Sequence, residues 1–312
     1  MNDPSASGAP PVVAVDVGGT FLKVGSVGAD GSLRDLSHTL TGRDRGPDSV
    51  IETIRSVVAD RVTMHAEYYG AAPRCVGIAV PGHVDSEVGM AVFSENIGWR
   101  DVPLREMLME LVAVPVVLVH DVRAGAIAEA RRGAGVGLSS LLFVAIGTGI
   151  GGAIVLDGNV VHGARNLAGE IGHMQMCGVT DRCGCGATGC LETRFCAAAV
   201  ERRYEELTGT NLTSSEIARR VAEGEPEAAV IWQEGIDCLA SALHAASMVI
   251  DPDVIVVGGG VAQAGETMFG PLVAEFRRLS NFGAGSSPIV SATLGANAGV
   301  IGAGLRAWDS LI

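Results

Sequence analysis

The chain has 312 residues, of which 48% are apolar and 18% are charged, and its formal net charge is −13. This length exceeds what one hydrophobic core usually takes, so we expect two domains, and the apolar fraction excludes a disordered chain. The negative charge argues against nucleic-acid backbones and anionic membranes as partners. Residues 1–10 are expected to form a flexible tail. They contain no secretory signal, so we predict a soluble, cytoplasmic protein.

The beginning of the chain predicts two apolar strands, over residues 11–16 and 21–27, joined by a glycine turn. The turn follows Asp16 and contains Gly18, Gly19 and Thr20. Glycine lets backbone N–H groups approach phosphate oxygens, and threonine adds a hydroxyl donor. We therefore predict a phosphate turn in which Asp16 could hold Mg²⁺ directly or through water. The alternatives are a turn that only reverses the chain and, for Lys23, an exposed lysine rather than a phosphate contact.

The next segments predict helices over residues 47–61 and 104–111 and strands over residues 75–80 and 114–119. The second strand delivers His120 and Asp121 at its carboxyl end, and a helix over residues 124–132 follows. Active sites of α/β sheets collect at such ends, where a carboxylate can take the proton of an attacking hydroxyl. The alternative is that Asp121 only caps the helix. Asn96 lies in an N-I-G-W loop suited to hydroxyl recognition, or in a turn around a packed tryptophan.

The strand–turn–strand pattern recurs over residues 140–156, with Gly147, Thr148 and Gly149 in the turn. Two buried strands explain this long uncharged run better than a membrane span does, because glycine, serine and threonine interrupt it. The recurrence indicates an internal duplication, with two similar halves facing a cleft. Residues 193–249 are mostly helical in pattern, and residues 295–311 predict a helix. A strand over residues 253–257 leads into a third glycine run, Gly258–Gly260.

Four metal-ligand side chains fall within eighteen residues: His173, Cys183, Cys185 and Cys190. One imidazole and three thiolates match a closed tetrahedral zinc site, with Cys177 outside it. Disulfides are less expected in a long chain with no secretory signal, and an iron–sulfur site usually takes four cysteines. Another metal, or none, remains an alternative. Glu170 and Glu192 bracket the cluster and would be rigid acceptors for a ligand rich in hydroxyl groups.

Together these motifs resemble the ROK family of repressors, uncharacterised reading frames and sugar kinases, most closely its bacterial glucokinases. The resemblance runs from Val12 to the C-terminal helix and rests most specifically on Glu170-Ile-Gly-His173 followed by Cys183-Gly-Cys-Gly-Ala-Thr-Gly-Cys-Leu-Glu192. It implies an actin-like, ribonuclease-H-like α/β fold with two domains around a central cleft. The smaller domain would comprise residues 1–121 and 297–312, and the larger, zinc-containing domain residues 122–296.

The resemblance also implies a function, an ATP-dependent hexose kinase that phosphorylates the 6-hydroxyl of glucose, with Mg²⁺ and a structural Zn²⁺. Asp121 matches the catalytic base. The implied sugar-binding residues are Gly82, Asn96, His120, Asp121, Glu170, His173 and Glu192. The implied nucleotide-binding residues are Asp16, Gly18, Gly19, Thr20, Lys23, Gly147, Thr148, Gly149, Gly258, Gly259 and Gly260. Family members are often dimers or tetramers, so a homodimer or homotetramer is expected.

The glucokinase pattern usually reads Asn-Asp-Ala-Asn where this chain has His120, Asp121, Val122 and Arg123, and two of the departures matter, His120 and Arg123. An imidazole offers a different hydrogen-bond pattern from an amide, so the preferred sugar could differ. Arg123 could pair with a carboxylate or contact substrate. The alternatives are therefore a kinase for N-acetylmannosamine, N-acetylglucosamine or fructose, or a sugar sensor without catalysis. A repressor is disfavoured, because fifteen residues before Asp16 leave no room for a helix-turn-helix domain.

Overall fold

The computed structural model describes residues 9–280 and 287–312. Most of the expected N-terminal tail lies outside these residues. The chain divides into two compact units. Unit 1 is drawn from Met1–Arg132, Ala164–Asn166 and Ala296–Ile312, and unit 2 from Gly133–Gly163 and Leu167–Gly295. No helix among the described residues is both long and apolar enough to cross a bilayer.

The secondary structure follows in chain order. The strands are β1 (Val12–Val17), β2 (Phe21–Val27), β3 (Leu33–Leu40), β4 (Val76–Val80), β5 (His83–Asp85), β6 (Met90–Ser94), β7 (Trp99–Val102), β8 (Val116–His120), β9 (Ser140–Ile146), β10 (Ile150–Leu156), β11 (Asn159–Val160), β12 (Val254–Gly258) and β13 (Ile289–Ser291). The helices are α1 (Pro47–Tyr69), α2 (Leu104–Val112), α3 (Asp121–Arg132), α4 (Glu192–Phe195), α5 (Ala197–Thr208), α6 (Ser214–Ala222), α7 (Pro226–Ile250), α8 (Glu266–Leu279) and α9 (Ala298–Asp309).

Unit 1 is built on a five-stranded sheet in the order β3-β2-β1-β4-β8. The strands β1, β4 and β8 run parallel, and β2 and β3 continue the sheet as an antiparallel pair. All five residues of β4 are buried, as expected of a strand covered on both faces. The parallel register pairs Asp16 with Ala79 and Val80 with His120. Asp16 and His120 therefore lie at the same edge, where the parallel strands end.

Unit 2 repeats this plan. Its sheet has the order β11-β10-β9-β12-β13, with an antiparallel β9–β10 hairpin and parallel β9, β12 and β13. The two units thus share strand order and strand direction, which supports the predicted duplication. The core of unit 2 is formed where the sheet meets α5, α7 and α8, around buried Phe195, Trp232 and Phe276.

Helices α3 and α9 pack together in unit 1 at a backbone-to-backbone distance that only glycine permits. A β-carbon on Gly302 would lie 1.8 Å from the carbonyl oxygen of Ala124, and one on Gly77 of β4 would lie 2.0 Å from that of Ala303. This packing explains why α3 belongs to unit 1, whereas the boundary drawn from the sequence after residue 121 separates α3 from that unit.

The strands and helices predicted from apolar runs are present, with α1 extending eight residues beyond its predicted end at Arg61. Arg61 is buried and donates to the carbonyl of Asp35 and the hydroxyl of Ser37, which keeps this polar residue inside the unit. The elements not predicted from the sequence are β3, β11, β13, the small sheet of β5, β6 and β7, and α8. Most residues of β3 are exposed, so it carries no apolar pattern.

Candidate functional site

In unit 1 the predicted base lies at the junction of β8 and α3. Asp121 is the first residue of α3, and its Oδ1 accepts the N–H of Val122 at 2.7 Å. The Nε2 atom of His120 lies 3.2 Å from the same oxygen. The Asp121 side chain keeps 35% of its surface exposed, whereas His120 keeps 13%. The carboxylate is thus held from one side and accessible from the other.

The surrounding protein changes the acidity of this carboxyl group. Burial raises the pKa of Asp121 to about 6, and the N–H of Val122 opposes the rise. A carboxylate with a pKa just below neutral is ionised at physiological pH and still accepts a proton readily, which is what a general base needs.

Asp16 lies at the end of β1 and is held by Lys23, whose Nζ lies 3.3 Å from Oδ2. Lys23 also donates to the carbonyl of Ala296 at 2.5 Å. Burial raises the pKa of Asp16, Lys23 opposes that rise, and the charge of Asp121 adds to it. Lys23 therefore already has two protein partners in unit 1 and is not a freely exposed lysine. A β-carbon on Gly299 would lie 2.6 Å from the Asp16 carboxyl carbon, so this glycine makes room for the carboxylate.

The first glycine turn is closed by a bond from the N–H of Gly18 to the carbonyl of Phe21 at 3.0 Å. Thr41 stabilises it by donating its hydroxyl to the carbonyl of Gly18. The β-carbon position of Gly19 faces only Arg43, at 3.7 Å from Nη1. An exposed guanidinium beside open backbone would suit an anionic ligand. Arg43 was missed in the sequence because it lies on no motif.

Gly82 and Asn96 lie near the small sheet of unit 1. Gly82 has a φ of +89°, and a β-carbon there would lie 2.2 Å from the carbonyl of Phe93, so glycine is needed for packing against β6. Asn96 is exposed in the turn between β6 and β7, which the N–H of Gly98 closes on the carbonyl of Ser94 at 2.8 Å. The buried indole of Trp99 anchors this turn.

Arg123, the second departure from the glucokinase pattern, is buried and donates from Nη2 to the carbonyl of Asn166 at 2.6 Å. It thereby binds the short segment Ala164–Asn166 to unit 1. This contact explains why an arginine stands at position 123 without assigning it a contact to the substrate.

In unit 2 the four predicted metal ligands come together. The ligand atoms of His173, Cys183, Cys185 and Cys190 all lie within 4.8 Å of one another. Cys185 Sγ lies 3.7 Å from Cys190 Sγ, and Cys183 Sγ lies 3.7 Å from His173 Nδ1. A tetrahedron with Zn–S bonds of about 2.3 Å has edges of roughly 3.8 Å, so the donor set fits zinc in type and in spacing. Cys177 is exposed and is not one of the four.

The raised pKa of a cysteine thiol in this cluster indicates that a bound cation would be needed to keep the thiols deprotonated. Burial and the two neighbouring thiols raise the pKa of Cys190 to about 12. Without a cation, several adjacent thiolates would repel one another in a poorly solvated place, whereas a bound divalent ion keeps coordinating thiols deprotonated.

Glu192 begins α4, directly after the loop that carries the candidate metal ligands, and reaches to the second glycine turn. Its Oε2 accepts the N–H of Ile150 at 2.8 Å, and a β-carbon on Gly149 would lie 2.3 Å from that oxygen. Gly149, predicted for the phosphate turn, is thus also the residue against which Glu192 packs. The other oxygen, Oε1, lies 3.8 Å from Cys183 Sγ. This geometry links a metal ligand, the acidic side chain and the glycine turn.

The segment around Glu170 is fixed by direct contact with the backbone of β10. A β-carbon on Gly152 would lie 2.4 Å from the carbonyl of Gly169, and one on Gly172 would lie 2.1 Å from that of Ile150. Glu170 directly precedes the short 3₁₀ turn Ile171–His173, and His173 is its last residue, so this packing positions both side chains. The packing of Gly152 against this segment was not predicted from the sequence.

The predicted nucleotide glycines of unit 2 lie side by side at the ends of the parallel strands β9 and β12. A β-carbon on Gly259, whose φ is +91°, would lie 2.3 Å from the carbonyl of Ile146. The β-carbon positions of Gly147 and Gly260 meet nothing within 4 Å, and Thr148 is exposed. Open backbone at the carboxyl ends of parallel strands fits a phosphate-containing ligand.

Comparisons with known proteins identify the class. The model of the ROK family matches residues 12–309, and the chain belongs to this family. A glucokinase from Halalkalibacterium halodurans is 31% identical, covering 94% of this chain and 93% of the relative. A kanosamine kinase from Amycolatopsis mediterranei is 32% identical, covering 95% of each chain.

A solved structure extends the comparison to the fold. The ROK family glucokinase from Streptomyces griseus, crystallised with glucose and AMPPNP, is 28% identical and has a TM-score of 0.82, covering 96% of this chain and 99% of that one. The predicted fold class, the actin-like ATPase fold with mixed α/β units, is confirmed.

Proposed function

We propose that the chain is an ATP-dependent hexose kinase that transfers the γ-phosphoryl group of ATP to the 6-hydroxyl of glucose, giving glucose 6-phosphate and ADP. The observation that carries the proposal is the Asp121 carboxylate at the end of β8, with a pKa raised to about 6 and part of its surface accessible. The reaction is further supported by the similarity of this ROK chain, over nearly its whole length, to a glucokinase.

In this mechanism Asp121 takes the proton of the sugar 6-hydroxyl as that oxygen attacks the γ-phosphorus. The backbone of the two glycine turns, with Thr20 and Thr148, binds phosphate oxygens. Asp16 is the residue that would hold Mg²⁺, directly or through water, and the ion would supply neutralisation of charge on the phosphoryl group. Phosphoryl transfer depends mainly on positioning and electrostatic stabilisation, so the rigid strand ends that carry these residues supply what the reaction needs.

The residues assigned to sugar recognition are Gly82 and Asn96 with the base, and Glu170, His173 and Glu192. Because Oε2 of Glu192 is taken by the N–H of Ile150, Oε1 is the oxygen left for a sugar hydroxyl once Cys183 is a metal-bound thiolate. His173 turns Nδ1 to the thiols, so Nε2 is its substrate-facing nitrogen.

A kinase for another sugar is the second candidate, and His120 is the observation that favours it. A site that replaces an amide by an imidazole presents a different hydrogen-bond pattern and discriminates between hydroxyl, amino and N-acetyl groups. The similarity to a kanosamine kinase supports keeping amino sugars among the candidates.

ADP release from MgATP tests the proposal across glucose, mannose, fructose, glucosamine, N-acetylglucosamine and N-acetylmannosamine. Glucose well above the others supports the glucokinase assignment, and preference for another sugar keeps the mechanism and changes the substrate. Asp121→Asn should remove turnover and keep sugar binding. The matched control is Asp60→Asn, because Asp60 is an exposed residue of α1. Zinc-loaded protein that binds a sugar without turnover would contradict the proposal and favour a sensor.

A further inference from the structure

The residue before the base has a geometry that the glucokinase pattern does not require. His120 ends β8 with a largely buried ring, and its Nε2 lies 3.2 Å from Oδ1 of Asp121. The N–H of Val122 reaches the same oxygen at 2.7 Å. Both contacts fall on Oδ1, so a main-chain donor and an imidazole nitrogen meet the carboxylate at the same oxygen.

We propose that His120 is a positioning residue, which donates from Nε2 to Oδ1 of Asp121 and so presents Oδ2 to the substrate hydroxyl. The inference rests on the proposed function for its effect on turnover, although the hydrogen bond itself does not depend on it.

The direction of this hydrogen bond follows from the ionisation of the carboxyl group. Above a pH of about 6 the carboxylate of Asp121 is ionised and can only accept. A nitrogen 3.2 Å away therefore has to carry the proton, and the tautomer of His120 is the one protonated at Nε2. The other charged groups that act on this site are Asp16 on β1, which interacts with Asp121 through charge, and Lys23 on β2, which neutralises Asp16.

The position of Nε2 predicts different effects for two substitutions, His120→Asn and His120→Gln. An asparagine amide extends about as far as the Nδ1 side of an imidazole, whereas a glutamine amide extends to the Nε2 side. If Nε2 carries the role, glutamine should preserve it and asparagine, the residue usual in the glucokinase pattern, should not. If His120 instead contacts the sugar directly, the glutamine variant is not expected to be more active than the asparagine variant.

The kinetic test compares His120→Ala, His120→Asn and His120→Gln with the wild type on its best sugar. His38→Ala on the exposed strand β3 is the matched control. Without the imidazole only the N–H of Val122 holds Oδ1, and the carboxylate is less well oriented. We therefore expect kcat to fall roughly 10- to 100-fold for alanine and asparagine, with sugar KM little changed and glutamine recovering most of the loss. An unchanged kcat, or a loss confined to sugar KM, would overturn the inference.

A spectroscopic test needs no turnover. In protein labelled with ¹⁵N-histidine, the His120 signals are identified by their absence in His120→Ala. At pH 8 we expect a protonated Nε2 in the wild type and a changed His120 tautomer population in Asp121→Ala, with the His38 signals unchanged. An unprotonated Nε2, or identical His120 spectra in both proteins, contradicts the proposal. If no sugar is phosphorylated, the proposed function fails while this experiment still decides the role of His120.

Discussion

Gly149 and Glu192 are in contact across unit 2, so that a β-carbon on the glycine would lie 2.3 Å from Oε2 of the glutamate. Glu192 lies two residues beyond Cys190, one of the four candidate metal ligands. The position of this acidic side chain is therefore set from two directions, by the glycine turn and by the loop that carries the candidate ligands.

The first prediction concerns Gly149→Ala. The added methyl group should push the Glu192 carboxylate away from the N–H of Ile150 and out of its binding position. Since displacement of a positioned group by about 1 Å can cost roughly 100-fold, we expect a fall of that order in kcat/KM for the sugar. Steady-state kinetics with varied sugar check it.

Gly270→Ala is the control for this substitution. Gly270 lies within α8, and a β-carbon there meets only Glu266 Oε2 at an ordinary 3.6 Å. Gly270 is exposed and is none of the proposed site residues, so alanine there should leave the kinetics unchanged. An active Gly149→Ala would show that Glu192 does not bind the sugar.

The second prediction concerns pH and Asp121. Since the base acts when deprotonated and its pKa is raised to about 6, kcat/KM should be constant near neutral pH and fall through pH 6 on acidification. A pH–rate profile with saturating MgATP checks this expectation. Activity that holds to pH 5 would contradict the assignment of Asp121 as the base.

The third prediction follows from the same raised pKa. The folded chain binds this proton more tightly than the unfolded chain, so ionisation costs stability as the pH rises from about 4 to about 6. Asp121→Asn removes that cost and should raise Tm at pH 7.5, with the gain shrinking towards pH 4. Thermal unfolding across this range checks the prediction against Asp60→Asn, and an equal gain at both ends would contradict it.

The fourth prediction concerns the metal. Cys190→Ser should lose the bound ion, because a hydroxyl is a poor ligand for zinc and the remaining donors no longer close a tetrahedron. Elemental analysis should give about one zinc per chain in the wild type and little in the variant. Tm should fall with the metal, since binding energy of a structural site is folding energy.

Cys238→Ser is the matched control, because Cys238 is partly buried on α7 outside the cluster. It should keep the zinc. Equal zinc content in Cys190→Ser would rule out the four-residue site.

The fifth prediction concerns the contact between α3 and α9. Gly302→Ala places a methyl group where the carbonyl of Ala124 lies 1.8 Å away, so the helices must separate. Overpacking of this kind typically costs about 1–3 kcal/mol, which denaturant unfolding measures. Because Asp121 begins α3, kcat should fall as well. A variant as stable as the wild type would contradict the packing.

The sequence was most informative where residues of one site lie close together in the chain, as do Cys183, Cys185 and Cys190. It was also informative where apolar runs predicted buried strands. It could not distinguish a glycine that faces a ligand from one that faces another backbone, because both demand only the absence of a β-carbon. Gly152 belongs to the second kind and Gly147 has the open space of the first. Gly299 and Gly302 were missed for a related reason, since their partners lie far away in the chain.

The division of the chain has a consequence for how the protein is made. Unit 1 needs Ala296–Ile312, which contains α9, whereas unit 2 ends at Gly295. Ribosomal synthesis delivers residues in order, so every part of unit 2 has emerged before unit 1 receives its last helix. The strands β1, β4 and β8 are synthesised first and must wait for α9, so the chain of unit 2 is complete before that of unit 1.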